Sequence, residues 1–149
     1  MDRMGLDWLR VLILFVFLSN GCGGTRPPNL GVKDSRLSPC PSSPNCVSSQ
    51  SDDGKHKIDP IHFTSTPAEA IERLKKVVRG MKRTTVVRET PDYIHVEFRT
   101  FLGFVDDVEF YVDRSQKVIY LRSASRVGYW DLGVNRRRME SIREEFGRK

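Results

Sequence analysis

Side chains able to bind a charged or polar ligand are concentrated in the last third of the sequence, between Asp106 and Arg143. This stretch contains the segments D-D-V-E-F, R-S-A-S-R-V-G-Y and D-L-G-V-N-R-R-R-M-E-S-I-R. A guanidinium group can grip a carboxylate or phosphate with two N–H groups, and serine and asparagine side chains can add hydrogen bonds. We therefore predict a site for a polar or anionic ligand, with the candidate residues Arg99, Asp107, Glu109, Arg122, Ser123, Ser125, Arg126 and Asn135.

Two strands of this stretch can be aligned by their apolar residues. If Phe110 faces Leu121 across an antiparallel pair, Glu109 lies directly opposite Arg122. Both charged side chains then point away from the apolar face of the sheet.

A preceding strand extends the pattern, because pairing Phe98 with Val108 would place Arg99 opposite Asp107. The charges would then form a ladder of cross-strand ion pairs, each contributing a few tenths to ~1 kcal/mol. Such a ladder is the structural alternative to a ligand site, and the sequence leaves both open.

Catalysis has weaker support in the same stretch. Asp106, Asp107 and Glu109 could bind a cation or act as acid and base, but neighbouring strand residues point to opposite faces. Either serine of R-S-A-S-R with His95 could form a nucleophile set, but no G-x-S-x-G elbow surrounds them. We therefore assign no catalytic residue, metal ligand or cofactor; an enzyme and a purely structural envelope protein remain the alternatives.

The elements that must position these residues begin with a helix after Thr66. Thr66 and Glu69 have the spacing of a capping box, with Pro67 at the first helical position. Apolar residues follow at helical spacing up to Gly80, which ends the helix. A second helix is predicted to begin near Leu132, with Asp131 as its N-cap.

Alternating apolar and polar residues predict an antiparallel meander of four strands. The strands are T-T-V-V-R-E-T up to Thr90, then 93–101, 106–113 and 117–126. K-I-D-P-I-H-F adds an edge strand, because Pro60 cannot donate to an inner ladder. The expected fold is α+β: an antiparallel sheet of four to five strands with two helices packed on one face.

The N-terminus has the order of a secretory signal, which we assign to residues 1–21. Charged residues precede the apolar run V-L-I-L-F-V-F-L, which rises only ~12 Å as a helix and is short of the ~30 Å membrane core. Cys22 follows Gly21 as in a bacterial lipobox, although Ser19 stands where an aliphatic residue is usual. Lipidation of Cys22, soluble secretion and an uncleaved anchor are the three possibilities.

Residues 22–36 are rich in glycine and proline and are predicted to be a flexible linker, followed by a single domain over 37–149. With Cys22 lipidated, Cys40 and Cys46 remain to form a disulfide. A zinc site with His56 and His62 matches no common finger spacing, and a redox pair would be C-x-x-C. Both histidines are expected at the surface.

The net charge of +6 is spread along the chain with acidic residues interleaved. This favours a solvated basic surface over an anion-binding face, and we predict no nucleic-acid partner.

Several segments resemble the domain-of-unknown-function 1499 family from about residue 37 onward. They are P-C-P-S-S-P-N-C-V-S-S at Pro39, D-Y-I-H at Asp92, F-V-D-D-V-E-F at Phe104 and R-S-A-S-R-V-G-Y-W-D-L-G-V-N-R-R-R-M-E at Arg122. The family includes bacterial envelope proteins and plastid relatives without an assigned reaction, so the resemblance implies a domain but no catalytic residue. Its motif positions are Cys40, Cys46, Asp106, Asp107, Glu109, Arg122, Ser123, Ser125, Arg126, Asp131, Asn135 and Arg138.

These features together predict an exported protein of the cell envelope, attached to the membrane through lipid on Cys22. It is expected to bind a polar or anionic ligand, or another envelope protein, without catalysis. A soluble periplasmic or secreted protein is the alternative.

Overall fold

The computed structural model describes residues 23–148, which form an α+β domain. The strands are β1 (Val32–Lys33), β2 (Arg36–Leu37), β3 (Cys46–Ser48), β4 (Ile61–His62), β5 (Thr84–Glu89), β6 (Tyr93–Arg99), β7 (Val105–Asp113) and β8 (Val118–Ser125). The helices are α1 (Pro67–Arg79), between β4 and β5, and α2 (Val134–Gly147), after β8.

Six strands form one antiparallel sheet, in the order β3-β8-β7-β6-β5, with β4 also paired to β8. β1 and β2 form a separate two-stranded hairpin. The predicted class and the meander β5–β8 are confirmed, while the strand number exceeds four to five. β3 lies in the proline- and serine-rich segment 38–49, which the sequence analysis did not count among the strands. Its three residues pair with the edge of β8, where prolines just outside the strand do no harm.

The first helix forms as its sequence predicts. Thr66 Oγ1 accepts the Glu69 backbone N–H at 3.3 Å, and Glu69 Oε2 accepts the Thr66 N–H at 2.9 Å. Pro67 occupies the first turn, where its missing N–H leaves no helical bond unmade. Gly80 caps the last turn by donating to the carbonyls of Lys76 and Val77.

The second helix begins two residues later than predicted, at Val134. Leu132 and Gly133 have φ angles of 56° and 75°, so neither can belong to a right-handed helix. The N-cap is Gly133 and not Asp131 as predicted, because the helix begins later. The Asp131 carboxylate nevertheless accepts the N–H groups of Gly133 at 2.9 Å and Asn135 at 2.8 Å.

The hydrophobic core lies between the two helices and one face of the sheet. Its helical residues include Ile71, Leu74, Met139 and Ile142, which are all buried. The strands contribute the apolar residues predicted to face the helices, namely Ile94, Val96, Phe98, Val108, Phe110, Val112, Ile119 and Leu121. We call the other face of the sheet the outer face.

A disulfide joins Cys40 to Cys46, as predicted. It ties the proline-rich loop to the start of β3, where Cys46 is buried. The prediction that His56 lies at the surface is wrong. His56 is only 5% exposed and contacts the Cys46 carbonyl through Nδ1 at 2.9 Å. His62, in contrast, is exposed.

The segment 23–36, expected to be part of a linker, lies against the outer face of the sheet. A Cβ on Gly24 would lie 2.7 Å from Val127 Cγ1, and the Gly31 N–H donates to Glu109 Oε1 at 2.7 Å. The predicted signal, residues 1–21, and the lipidation site Cys22 lie outside the described residues. Over residues 23–148, no helix has the length and apolar character needed to cross a membrane.

Candidate functional site

The register of β6, β7 and β8 decides which charged residues meet on the outer face. Glu109 is opposite Arg122, as the sequence predicts. The predicted pairing of Arg99 with Asp107 is wrong, because Asp107 is opposite Glu97 and Arg99 is opposite Val105.

This slip of two residues keeps every side chain on its predicted face. Val96, not Phe98, lies opposite Val108, and residues 100–104 form the connection. Arg99 is left exposed at the end of β6, where its Nη1 donates to the Gly103 carbonyl at 3.2 Å. Arg99 therefore does not join the other candidates.

Arg126, and not Arg99 as predicted, pairs with Asp107. Its Nε donates to Asp107 Oδ2 and its Nη2 to Asp107 Oδ1, both at 2.8 Å. Arg126 Nη2 also contacts Glu97 Oε1, and His95 Nε2 donates to Asp107 Oδ1 at 2.8 Å. This two-point clasp on one carboxylate is the geometry in which arginine binds most strongly.

The electrostatics of this cluster hold both carboxylates in the charged form. Burial raises the pKa of Asp107, but the hydrogen bonds from Arg126 and His95 outweigh it, so that the pKa lies below its usual value. Burial likewise raises the pKa of Glu97, and hydrogen bonds from Arg26 and Arg126 lower it overall. The pKa of Arg126 is raised, chiefly by its hydrogen bonds to Asp107.

A second cluster is centred on Glu109, whose side chain is 0% exposed. Glu109 Oε1 accepts hydrogen bonds from the Tyr93 hydroxyl at 2.8 Å and from the Gly31 N–H at 2.7 Å. Arg122 Nη1 donates to Oε2 at 3.2 Å. Burial, followed by the charge of Glu109, raises the pKa of Tyr93, which keeps its hydroxyl a donor. Arg122 Nε is buried and has no hydrogen-bond partner among residues 23–148.

The N-terminal segment adds a positive charge to the two clusters. The strands contribute three carboxylates to the two clusters, Glu97, Asp107 and Glu109, against the guanidinium groups of Arg122 and Arg126. The third guanidinium comes from the segment 23–36: Arg26 Nε donates to Glu97 Oε1 at 3.0 Å. The outer face thus binds a cationic group and a backbone N–H from its own chain.

Three predicted site residues lie on the helix side of the sheet instead. Asn135 Nδ2 donates to Ser125 Oγ at 2.9 Å, and Ser123 Oγ donates to Asn135 Oδ1. Asn135 is fully buried and also reaches Asp131 Oδ2 at 2.8 Å, so these hydroxyls fasten α2 to β8. Ser123 and Ser125 cannot share a ligand with Arg122 and Arg126, because successive strand residues point to opposite faces.

Asp106 and Asp107 are separated in the same way, as predicted. Asp106 lies on the helix side, where Arg138 Nη2 donates to its Oδ2 at 2.7 Å. The Arg138 guanidinium also lies over the Phe98 ring, 4.7 Å from its centroid. The two aspartates therefore serve two separate ion pairs and cannot act on one substrate.

Some members of the outer-face clusters were missed, and for two different reasons. Tyr93 and Glu97 alternate with His95 on one strand, so period-two patterning is consistent with one shared face but does not reveal their partners. Arg26 and Gly31 had no such signal, because they lie 71 and 78 residues from Glu97 and Glu109 in sequence.

An open groove lies beside the clusters, between the β1–β2 hairpin and the disulfide loop. Its volume is about 980 Å³, and its lining includes Lys33, Arg36, Ser48, Gln50 and His56. Gln50 braces the hairpin: its Oε1 accepts the Leu37 N–H at 2.8 Å. The lining of the groove includes none of the predicted ligand-binding residues.

Replacing Arg126 with alanine tests whether the cluster around Asp107 has a structural role. Asp107, 1% exposed, would lose both guanidinium bonds and remain as a buried charge. We expect Arg126→Ala to lower the free energy of unfolding by about 3–5 kcal/mol in urea titrations. The exposed Arg99→Ala, on the same face, should change it by no more than about 0.5 kcal/mol. Equal, small effects of the two variants would contradict a structural role.

Lowering the pH should weaken the ion pairs of Glu97 and Asp107. The folded-state pKa values of Glu97 and Asp107 are lowered, so their ion pairs contribute stability that is fully present above about pH 5 and is lost as the pH falls through the folded-state values. Unfolding free energy measured from neutral pH downward should therefore fall below about pH 5, and Glu97→Gln should flatten that fall. The exposed Glu144→Gln is the control, and an unchanged slope in Glu97→Gln would refute the assignment.

Comparison with known proteins assigns a family but no activity. Neither the curated proteins nor the solved structures give a match. One family model matches residues 36–146, and its description is "Protein of unknown function (DUF1499)". The match spans the first helix, all but the last residue of the second and all strands of the six-stranded sheet, and it includes every predicted ligand-site residue. The chain therefore belongs to the DUF1499 family.

Proposed function

We propose that this chain is an exported, lipid-anchored envelope protein that acts by binding, without catalysis. Its outer sheet face binds the N-terminal segment that leads to the anchor. Residues 23–36 would then hold the domain close to the membrane instead of spacing it away. The ligand of the charged face is in this proposal a polar, cationic segment of the same chain.

The observation that supports this proposal is the pair of contacts between the segment and the strand carboxylates. Arg26 is hydrogen-bonded to Glu97, and the Gly31 N–H is hydrogen-bonded to Glu109. Both bonds are charge-assisted, which makes each stronger than a neutral bond. Within the two clusters three strand carboxylates meet two strand arginines, so Arg26 supplies a further positive charge there, whereas an anion bound among them would add negative charge.

An enzyme with its site on this face is the less favoured alternative. A general acid or base must reach a substrate proton within hydrogen-bond distance. Asp107 and Glu109 are buried, and their oxygens already accept bonds from Arg126, His95 and Tyr93. Each carboxylate oxygen of Asp107 and Glu109 already accepts at least one hydrogen bond.

Limited proteolysis tests whether the segment is held. The variant Arg26→Ala removes the side-chain donor to Glu97, and loss of a charge-assisted bond of roughly 1.5 kcal/mol raises local opening about tenfold. Tryptic cleavage after Lys33, followed by mass spectrometry of the full chain, should accelerate by at least about that factor.

The control is Arg148→Ala, which removes an exposed arginine paired with Glu145 at the other end of the domain. Its cleavage rate at Lys33 should match that of the unmodified chain. If the unmodified chain is cut as fast as the Arg26→Ala variant, the segment is not bound through Arg26 and the proposal fails.

The anchor itself is tested by mass spectrometry of the mature protein from a bacterial envelope. We expect Cys22 to be the first residue and to have the added mass of a diacylglyceryl group. An unmodified N-terminus downstream of Cys22 would eliminate the lipid anchor.

A further inference from the structure

Two loops expose large apolar side chains that the fold does not use. The β6–β7 loop exposes Phe101 and Leu102, which are 87% and 69% exposed, and Phe104 beside them. The β8–α2 loop exposes Tyr129, Trp130 and Leu132, of which Tyr129 is 72% exposed. Scattered apolar residues are ordinary on a surface, but a cluster of this size indicates an interaction site.

Both loops lie at the same end of the sheet. β7 begins where β8 ends: Asp106 is opposite Ser125, and the Arg126 N–H donates to the Val105 carbonyl at 3.0 Å. The loop 100–104 enters β7 at this point, and the loop 126–133 leaves β8 here. We call the apolar residues of the two loops, Phe101, Leu102, Phe104, Tyr129, Trp130 and Leu132, the apolar end.

The described chain starts at this same end. A Cβ on Gly23 would lie 3.5 Å from Val105 Cγ2 and 3.8 Å from Arg99 Nη1, so Gly23 lies beside the start of β7. One residue earlier stands Cys22, and before it the apolar run V-L-I-L-F-V-F-L. The residues that precede Gly23 in the sequence lie outside the described structure, and they include the part of the chain most suited to a membrane.

Exposed basic residues surround the apolar end. Lys82, Arg83, Arg99 and Arg137 are exposed there, and over residues 23–148 none has a carboxylate within salt-bridge distance. The nearby acids are turned inward instead. Asp106 and Asp107 are buried in ion pairs, and half-buried Asp131 accepts backbone N–H groups at the start of α2.

We propose that the apolar end is a membrane-docking surface that inserts into the headgroup region of a bilayer. Tyrosine and tryptophan favour that region because each has an apolar ring and a polar group. Unpaired lysine and arginine around them are attracted by anionic lipid. The inference rests on the proposed attachment only for the direction of the N-terminus; the loops supply a second, independent contact that orients the domain.

Trp130 provides a direct probe of this surface. The chain has two tryptophans, Trp8 and Trp130, so Trp8→Phe in the full chain leaves one indole. The protein is reconstituted in vesicles of equal molar parts phosphatidylcholine and phosphatidylglycerol, with and without brominated acyl chains. Bromine quenches only an indole at the acyl-chain boundary, and we expect it to reduce Trp130 fluorescence at least roughly twofold, with a shift of the emission to shorter wavelength.

Two further variants in the Trp8→Phe background control the result. Phe101→Asp places a charge in the neighbouring exposed loop and should remove most of the quenching, while circular dichroism stays unchanged. Val32→Asp makes the same kind of change on the β1–β2 hairpin, where Val32 is 38% exposed, and should leave the quenching intact.

Absence of bromine quenching in the full chain would overturn the proposal. If Trp130 is then protected from iodide in solution, the apolar end is covered by protein, such as a second copy of this chain. If iodide reaches Trp130, the apolar end contacts neither a membrane nor another protein surface. Cys22 acylation is measured separately, so a missing lipid refutes the proposed anchor while leaving the Trp130 result to decide on the docking surface.

Discussion

Burial of charged carboxylates on the outer face is the constraint on which this domain depends. Asp107 and Glu109 lie in the middle strand of three, with almost no exposure to solvent. Removing a carboxylate from water costs several kcal/mol unless donors replace the lost hydration. The adjacent strands supply Arg122, Arg126 and Tyr93 in fixed register, and the N-terminal segment supplies the rest.

The same constraint explains why the N-terminal segment is not a simple spacer. A β-sheet with polar residues on one face normally leaves that face to water. Here three strand carboxylates of the two clusters meet two strand arginines, and Arg26 with the Gly31 N–H supplies further donors. Covering the face also lowers the local dielectric constant, which strengthens the ion pairs already present. Segment and clusters therefore stabilise each other.

On the helix side of the sheet, polar residues fix the position of α2. Asn135 is buried at the first turn of α2 and bonds to Ser125, Asp131 and the Asn45 carbonyl. Arg138, one turn later, reaches Asp106 on β7. A purely apolar contact could slide, whereas these directional bonds specify one position of α2 on the sheet. Polar residues in the last third of the chain thus divide into two structural groups, one on each face.

Local and periodic features were predictable from the sequence by itself. The capping box at Thr66, the faces of β6, β7 and β8, the Glu109–Arg122 pairing and the Cys40–Cys46 disulfide all depend on neighbouring residues or short repeats. Side-chain alternation also predicted that Asp106 and Asp107 lie on opposite faces of the sheet. The Arg99 partner was misassigned because a two-residue shift preserves both faces, so the apolar pattern could not distinguish the two registers.

Only the tertiary structure decided what covers the outer face and which residues meet there. Arg26 and Gly31 find partners more than 70 residues away, and no local pattern marks such a contact. The apolar end likewise exists because antiparallel pairing brings the two loops together next to Gly23. The sequence determined the residue types and the face that each occupies; their partners depend on how distant segments pack, which period and spacing do not encode.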